Sequence, residues 1–183
     1  MKFAFQKSPY LLIVPEQVRN CFGATTAERC ASNVLGFGSA QLVILRFGGN
    51  GLQLSTVRIL VVDDFEMFRQ FVVELLGKRP ELQVVGEASD GLEAIQKAVE
   101  LRPDLILLDI GLPSLNGIEV ARQMRSLVPE SKIIFLTQAS SADVVQKALN
   151  VGARGYVTKN MLLADLFAAV ETVLSGMTFV SNS

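Results

Sequence analysis

Histidine is absent from all 183 residues. That absence removes Ser–His and Cys–His nucleophile pairs, imidazole general bases and histidine metal ligands at one stroke. Cysteine is scarce as well. Cys21 and Cys30 are the two in the chain; their spacing matches no zinc motif, and a disulfide framework is not expected in so long a chain, so both read as unpaired thiols in a reduced compartment. No apolar run reaches about 18 residues, which leaves no membrane span. The opening Met1-Lys2-Phe3-Ala4-Phe5 breaks at Gln6-Lys7-Ser8-Pro9, too early for a signal-peptide core. A cytoplasmic location without a membrane partner is the resulting expectation. An excess of positive charge is missing too: 17 Lys and Arg stand against 18 Asp and Glu for a net charge of −1, so there is no polycationic footprint for nucleic acid.

What is present suits a soluble core. Half the residues are apolar and 19% are charged, enough for one domain of ordinary size plus an extra segment. The extra segment is residues 1–56. It carries five Lys and Arg against two Asp and Glu, and six of the 14 glycines, including Gly48-Gly49-Asn50-Gly51. Tyr10–Val14 and Gln41–Leu45 fit strands, but no steady period joins them. A poorly ordered extension ending in a Gly-rich linker, a small appended element, and a natural start near Val57 all remain open.

From Val57 onward strands and helices alternate. Ile59-Leu60-Val61-Val62 is a short apolar run, three of its four residues β-branched, and it stops on Asp63-Asp64. Leu105-Ile106-Leu107-Leu108 stops on Asp109, Lys132–Leu136 on Thr137, and Gly155–Thr158 on Lys159. Continuous apolar runs of this length read as strands buried on both faces. Gln83–Ala88 is a further strand. Helical periodicity predicts inward faces of Met67, Phe68, Phe71, Val72, Leu75 and Leu76; of Leu92, Ile95, Ala98 and Val99; of Ile118, Ala121, Met124 and Leu127; of Val144, Val145, Ala148 and Leu149; and of Leu162, Leu166, Ala169, Val170 and Val173. Asp90 and Ser140-Ser141 offer N-caps, and Gly77, Gly152 and Gly176 offer stops. The sum is (βα)₅, a doubly wound α/β fold with right-handed parallel crossovers. Of the two strand orders open to it, the flavodoxin-like 2-1-3-4-5 puts the switch point between the strands that end on Asp63-Asp64 and Asp109, and is preferred. Residues 177–183 remain as a tail.

Adjacent strands lie about 4.8 Å apart, so the three carboxylates converge. They repel unless a cation joins them, and carboxylate oxygens suit Mg²⁺. An Asp beside Mg²⁺ can act as a nucleophile toward a phosphoryl group and form an acyl phosphate. Lys159 adds positive charge and Thr137 a hydroxyl donor. These are the parts for phosphoryl transfer to Asp109.

From Arg58 to about Gly176 the chain resembles a response-regulator receiver domain. The resemblance is carried by Val61-Val62-Asp63-Asp64, Leu107-Leu108-Asp109-Ile110-Gly111-Leu112-Pro113-Ser114-Leu115-Asn116-Gly117, Thr137, and Tyr156-Val157-Thr158-Lys159. Each is weak alone, but together and in order they are specific. Glu87-Ala88-Ser89-Asp90-Gly91-Leu92-Glu93-Ala94 resembles the NarL/FixJ-like subfamily. The resemblance implies a receiver over residues 57–176, a phosphorylation switch rather than an enzyme. Asp109 would accept a phosphoryl group from a histidine kinase or phosphotransfer protein, and since this chain has no histidine the phosphohistidine sits on another molecule. Asp64 would bind Mg²⁺ directly, Asp63 through water, and the Gly111 carbonyl would add a ligand. Thr137 would swing toward the phosphoryl group and Tyr156 would turn inward behind it. The signal would pass to a downstream protein, with dimerisation on activation left open. The chain stops at Ser183 without a recognition helix, so direct DNA binding is not expected.

Bland readings stand beside these roles: Asp64 as a helix cap, Thr137 as a strand terminus, Tyr156 as packing and Lys159 as a surface lysine. Phe65 and Gln138 depart from the family pattern, and Asn160 follows Lys159 in place of the frequent Pro. A haloacid-dehalogenase-type phosphatase is disfavoured, because that chemistry wants a second Asp where Gly111 stands. A constitutive, phosphate-independent interaction module is the remaining alternative. Gly111 and Ala139 carry no side chain able to hold a hydrolytic water, so self-dephosphorylation is expected to be slow; a phosphoryl half-life of only seconds in purified protein with Mg²⁺ would refute this.

Overall fold

The computed structural model describes residues 10–13, 43–48, 51–54, 56–139 and 141–181, and the chain divides into two compact units. In the unit of residues 9–55, β1 (Tyr10–Ile13), β2 (Val43–Gly48) and β3 (Gly51–Leu54) form an antiparallel sheet in that order. Gly48 pairs with Gly51, so the Gly-rich run falls at the junction of two paired strands.

The other unit holds β4 (Val57–Val62), α1 (Glu66–Leu76), β5 (Leu82–Ala88), α2 (Gly91–Leu101), β6 (Leu105–Leu108), α3 (Gly117–Leu127), β7 (Lys132–Thr137), α4 (Ala142–Asn150), β8 (Gly155–Thr158), a 3₁₀ turn (Lys159–Met161), α5 (Leu162–Leu174) and β9 (Phe179–Val180). The sheet runs β5-β4-β6-β7-β8-β9 with every neighbour parallel. Counted from β4, this is the expected order 2-1-3-4-5, extended by one strand. That last strand lies in the tail, to which the sequence assigned no element. It is held by the Phe179 N–H on the Arg154 carbonyl and the Ser181 N–H on the Tyr156 carbonyl, at 2.9 and 2.8 Å.

The central strands are buried except at Arg58 of β4 and Lys132 of β7, as parallel strands covered on both faces must be. Leu60, Val62, Ile106, Leu108, Phe135 and Tyr156 pack in one cluster with Ala94 and Ala98 of α2, Val120 and Met124 of α3, and Ala148 of α4. The alternate residues Ile59, Val61, Leu105, Leu107, Ile134 and Val157 point the other way. They are equally buried, as are Val72 and Leu76 of α1 and Leu166 and Val170 of α5.

The helical faces need correction in detail. Met67, Phe71, Leu92, Val99 and Leu127 are exposed. Val72, Leu75 and Leu76 of α1, Ala98 of α2, and Ala121 and Met124 of α3 are buried as expected, joined by Gly91, Ala94, Gly117 and Val120. Small residues let the helices approach closely, which leaves the larger flanking side chains at the rim. A Cβ placed on Gly91 would lie 2.2 Å from the Leu115 carbonyl oxygen. The face expected for α5 is buried as anticipated. Asp90 caps α2 through the Leu92 and Glu93 N–H groups; the Ser114 hydroxyl, followed by those N–H bonds, holds its carboxyl below the ordinary range. Ser141 occupies the N-cap of α4 without a side-chain bond, and Ser140 lies outside the described residues.

Ile134 is fully buried in a central strand, and Ile134→Ala is expected to cost about 3 kcal/mol of unfolding free energy. A loss below about 1 kcal/mol in urea titration would mean that the site collapses around the missing atoms.

Candidate functional site

Val62 of β4 lies opposite Leu108 of β6, so the residues that follow, Asp63 and Asp109, leave the sheet side by side. Asp63, Asp64 and Asp109 each place a carboxylate oxygen within 4.8 Å of the others. Asp63 and Asp109 are buried, whereas Asp64 is exposed. Lys159, just past β8, reaches into the cluster. Its Nζ stands 2.7 Å from Asp63 Oδ2 and 3.3 Å from Asp109 Oδ2, and 4.5 Å from the centre of the Phe68 ring. That ring, read from the sequence as helix core, forms an aromatic floor beneath the ammonium.

Asp63 and Asp109 are also tied to the backbone. Asp63 Oδ1 accepts from the Phe65 N–H at 3.0 Å, and Asp109 Oδ1 from the Ile110 N–H at 2.8 Å. Asp63 Oδ2 is buried and, although ion-paired with Lys159, receives no aligned hydrogen bond. Burial pushes the Asp63 carboxyl above its ordinary value; the Lys159 ammonium pulls it down less strongly, and Asp109 adds a small push upward. A Cβ on Gly117 would sit 2.0 Å from the Asp109 carbonyl oxygen, and one on Gly111 3.3 Å from Asp109 Oδ2. The loop after β6 therefore folds tightly around the acid.

Thr137 ends β7 and is buried, its Oγ1 accepting the Ala139 N–H at 3.3 Å. It lies opposite Thr158 of β8. The Tyr156 ring is inside the core, and its hydroxyl donates to the Ala139 carbonyl at 2.7 Å. Burial, and secondarily the Asp109 charge, hold the phenol above its ordinary range, so it stays a donor. Asp63, Asp64, Asp109 and Lys159 thus meet directly. Thr137 ends the next strand, β7, and Tyr156 lies within β8; both engage the segment after β7 rather than the carboxylates.

The sequence did not point to Phe68, to the Ala139 carbonyl, or to Arg69, whose Nη1 donates to the Asp63 carbonyl at 2.8 Å. Phe68 and Arg69 follow the acidic pair within two helical turns, a placement that could have marked them as neighbours.

The donors are hard oxygens, one of them a buried carboxylate oxygen whose close partner is the Lys159 ammonium, and that lysine suits an anion. Such a set fits Mg²⁺ and phosphoryl oxygens. Fold and site together define a doubly wound α/β protein with an acidic, lysine-bridged pocket at its switch point.

The family described as the response regulator receiver domain matches residues 59–171. The DNA-binding transcriptional activator DevR/DosR of Mycobacterium tuberculosis is 40% identical over 126 residues, which is 69% of this chain and 58% of that protein. The transcriptional regulatory protein LiaR of Bacillus subtilis is 37% identical over 120 residues, 66% of this chain and 57% of that protein. Among solved structures, a LuxR-family response regulator from Aurantimonas superimposes with a TM-score of 0.66 at 37% identity, covering 68% of this chain and 89% of that one. The receiver domain of NarL from Mycobacterium tuberculosis gives 0.63 at 32% identity, covering 67% and 98%. This chain belongs to the response-regulator receiver family, and its relatives are of the NarL/LuxR type. It therefore contains a phosphorylation-dependent signalling domain of two-component regulation. It spans a little over half the length of the curated relatives named. No helix among the described residues is long and apolar enough to cross a membrane.

Because the Asp63 carboxyl is raised above 3.8, the folded chain holds that proton more tightly than the unfolded chain does. Stability relative to the fully protonated site is then lost as pH climbs from the unfolded value through the raised folded one. In the absence of divalent cations, Asp63→Asn should therefore melt at a higher temperature than the parent near pH 7, with the gap closing as pH falls toward 3.8. An equal or lower melting temperature at neutral pH would show that the Lys159 pair outweighs burial.

Proposed function

We propose that this chain is a phosphoacceptor switch in which residues 57–176 form the receiver and Asp109 takes the phosphoryl group. The observation that carries the reading is the meeting of Asp63, Asp64, Asp109 and Lys159 in one partly buried pocket at the switch point. The donor is a phosphohistidine outside these 183 residues, which contain no histidine, carried by a sensor kinase or phosphotransfer protein. One Asp109 oxygen attacks phosphorus, the P–N bond breaks with its electrons leaving on the donor imidazole, and a P–O bond forms the acyl phosphate. Asp63, Asp64, Asp109 and the Gly111 carbonyl would hold Mg²⁺, which offsets charge on the transferring oxygens when bound. Lys159 supplies a fixed positive charge to the same oxygens.

After transfer, a phosphoryl oxygen can accept the proton of the Thr137 hydroxyl, whose Oγ1 here accepts the Ala139 N–H, and so draw that side chain toward the pocket. Moving that hydroxyl perturbs the segment whose Ala139 carbonyl holds Tyr156. New charge at one end thereby biases the packing of α4, β8 and α5, and the altered face passes the signal to a downstream protein from a cytoplasmic location.

Incubation with acetyl phosphate and Mg²⁺ followed by intact mass measurement tests this reading. The parent should gain one phosphoryl group and Asp109→Asn none. Absence of any gain in the parent would return the chain to a phosphate-independent interaction module.

A further inference from the structure

Arg69 sits on the first turns of α1, mostly buried, with two partners from different parts of the fold. Nη1 donates to the Asp63 carbonyl oxygen at 2.8 Å, and Nε donates to Glu87 Oε2 at 3.1 Å. Glu87 belongs to β5, on the far side of β4 from the phosphoacceptor strand. Its own backbone carbonyl is held by Lys97 Nζ of α2 at 2.5 Å, and Lys97 pairs with Glu93 at 2.8 Å. One guanidinium therefore joins the end of the central strand to its edge neighbour and, through that neighbour, to α2.

The Asp63 carbonyl is the oxygen of the peptide that leads into Asp64. A peptide is planar, so fixing that oxygen fixes the nitrogen and Cα of Asp64 as well. Asp64 is exposed and emerges where the chain leaves the strand, before α1 begins at Glu66. Without the guanidinium, this peptide could rotate and carry the Asp64 carboxylate out of the cluster. A surface Arg–Glu pair by itself contributes little to stability, and Glu87 is 42% exposed at its side chain. The bond to the Asp63 carbonyl is the contact that a purely stabilising pair would not need.

We infer that Arg69, aimed by Glu87, is a positioning residue that holds the Asp63–Asp64 peptide so that both carboxylates face the same cation. This rests on the reading of the site as a Mg²⁺ and phosphoryl pocket. It assigns Arg69 and Glu87 a share in metal affinity although neither contributes a ligand, as residues behind the ligands of metal sites do elsewhere.

Calorimetric titration of MgCl₂ into the full chain tests the inference, with far-UV circular dichroism and melting temperature recorded for every variant. Arg69→Met should weaken Mg²⁺ binding by about 10- to 100-fold. Arg69→Lys, which can still reach the carbonyl, should recover part of that loss. Glu87→Gln, which leaves the guanidinium in place and removes the charge that aims it, should show a smaller loss and decides the matter if Arg69→Met does not fold. Phosphoryl uptake from acetyl phosphate by the folded variants should return to the parent rate at saturating Mg²⁺, a split that general destabilisation would not produce. If the parent binds Mg²⁺ and folded Arg69→Met and Glu87→Gln bind it equally well, the positioning role is overturned while the reading of the site stands. If the parent binds none, the reading of the site falls, and this role with it.

Discussion

The constraint on which this molecule depends is the cost of placing two carboxylates at the ends of neighbouring buried strands. Burial alone raises the proton affinity of Asp63, and two anions side by side repel. The structure meets that cost with one cation delivered from the end of β8, two strands from β6 and three from β4. Lys159 crosses from the end of β8 to both acids, rests on the Phe68 ring, and leaves Asp63 Oδ2 without an aligned hydrogen bond. A buried ion pair in which one ammonium serves two carboxylates is a poor source of stability. It is a suitable receptor for a second cation, whose charge would offset the repulsion that one ammonium leaves behind.

Backbone geometry sets the remaining distances. The parallel pairing of Val62 with Leu108 brings Asp63 beside Asp109, and continued pairing through β7 and β8 places Thr137 beside Thr158 and Lys159 one residue beyond. Every group in the site is thus the first polar residue after an apolar strand, or lies within two residues of one. The loop after β6 must then turn back at once, and the lack of a side chain at Gly117 lets it lie against the Asp109 carbonyl. Precision at the pocket comes from rigid strands whose neighbours are buried on both faces.

That dependence explains what was legible in the sequence. Strands ending on Asp63-Asp64, Asp109, Thr137 and Lys159 stand out because continuous apolar runs have few other uses, and their order follows once the switch point is matched to the acids. Helical faces were harder to read. Periodicity marks a stripe containing Leu92 and Val99, yet α2 packs inward through Gly91, Ala94 and Ala98, with Gly91 against Leu115 and Val120. Hydrophobicity does not reveal that close approach favours small side chains over large ones. The strand at Phe179–Val180 was invisible because two residues have no period, and its pairing depends on the free edge of β8. Arg69 was missed for a related reason. Its partner is a main-chain carbonyl, and a carbonyl leaves no trace in the amino-acid sequence.

The arrangement also accounts for how a small chemical change could be felt at a distance. A charge added in bulk water interacts weakly with its surroundings, whereas the same charge beside buried groups interacts several times more strongly. The acids lie where that effect is large, and the segment after β7 is tied to both ends of the problem: Thr137 Oγ1 accepts its amide, and the Tyr156 hydroxyl donates to its carbonyl. Tyr156 in turn offers its own carbonyl to Ser181, whose hydroxyl bonds Asp165 of α5 at 2.5 Å. Thr137, the segment after β7, strand β8 and the last strand are therefore joined by one series of hydrogen bonds that begins beside the pocket. Burial, which makes the acids costly to keep, is the same condition under which a change in their charge is felt most strongly by the groups around them.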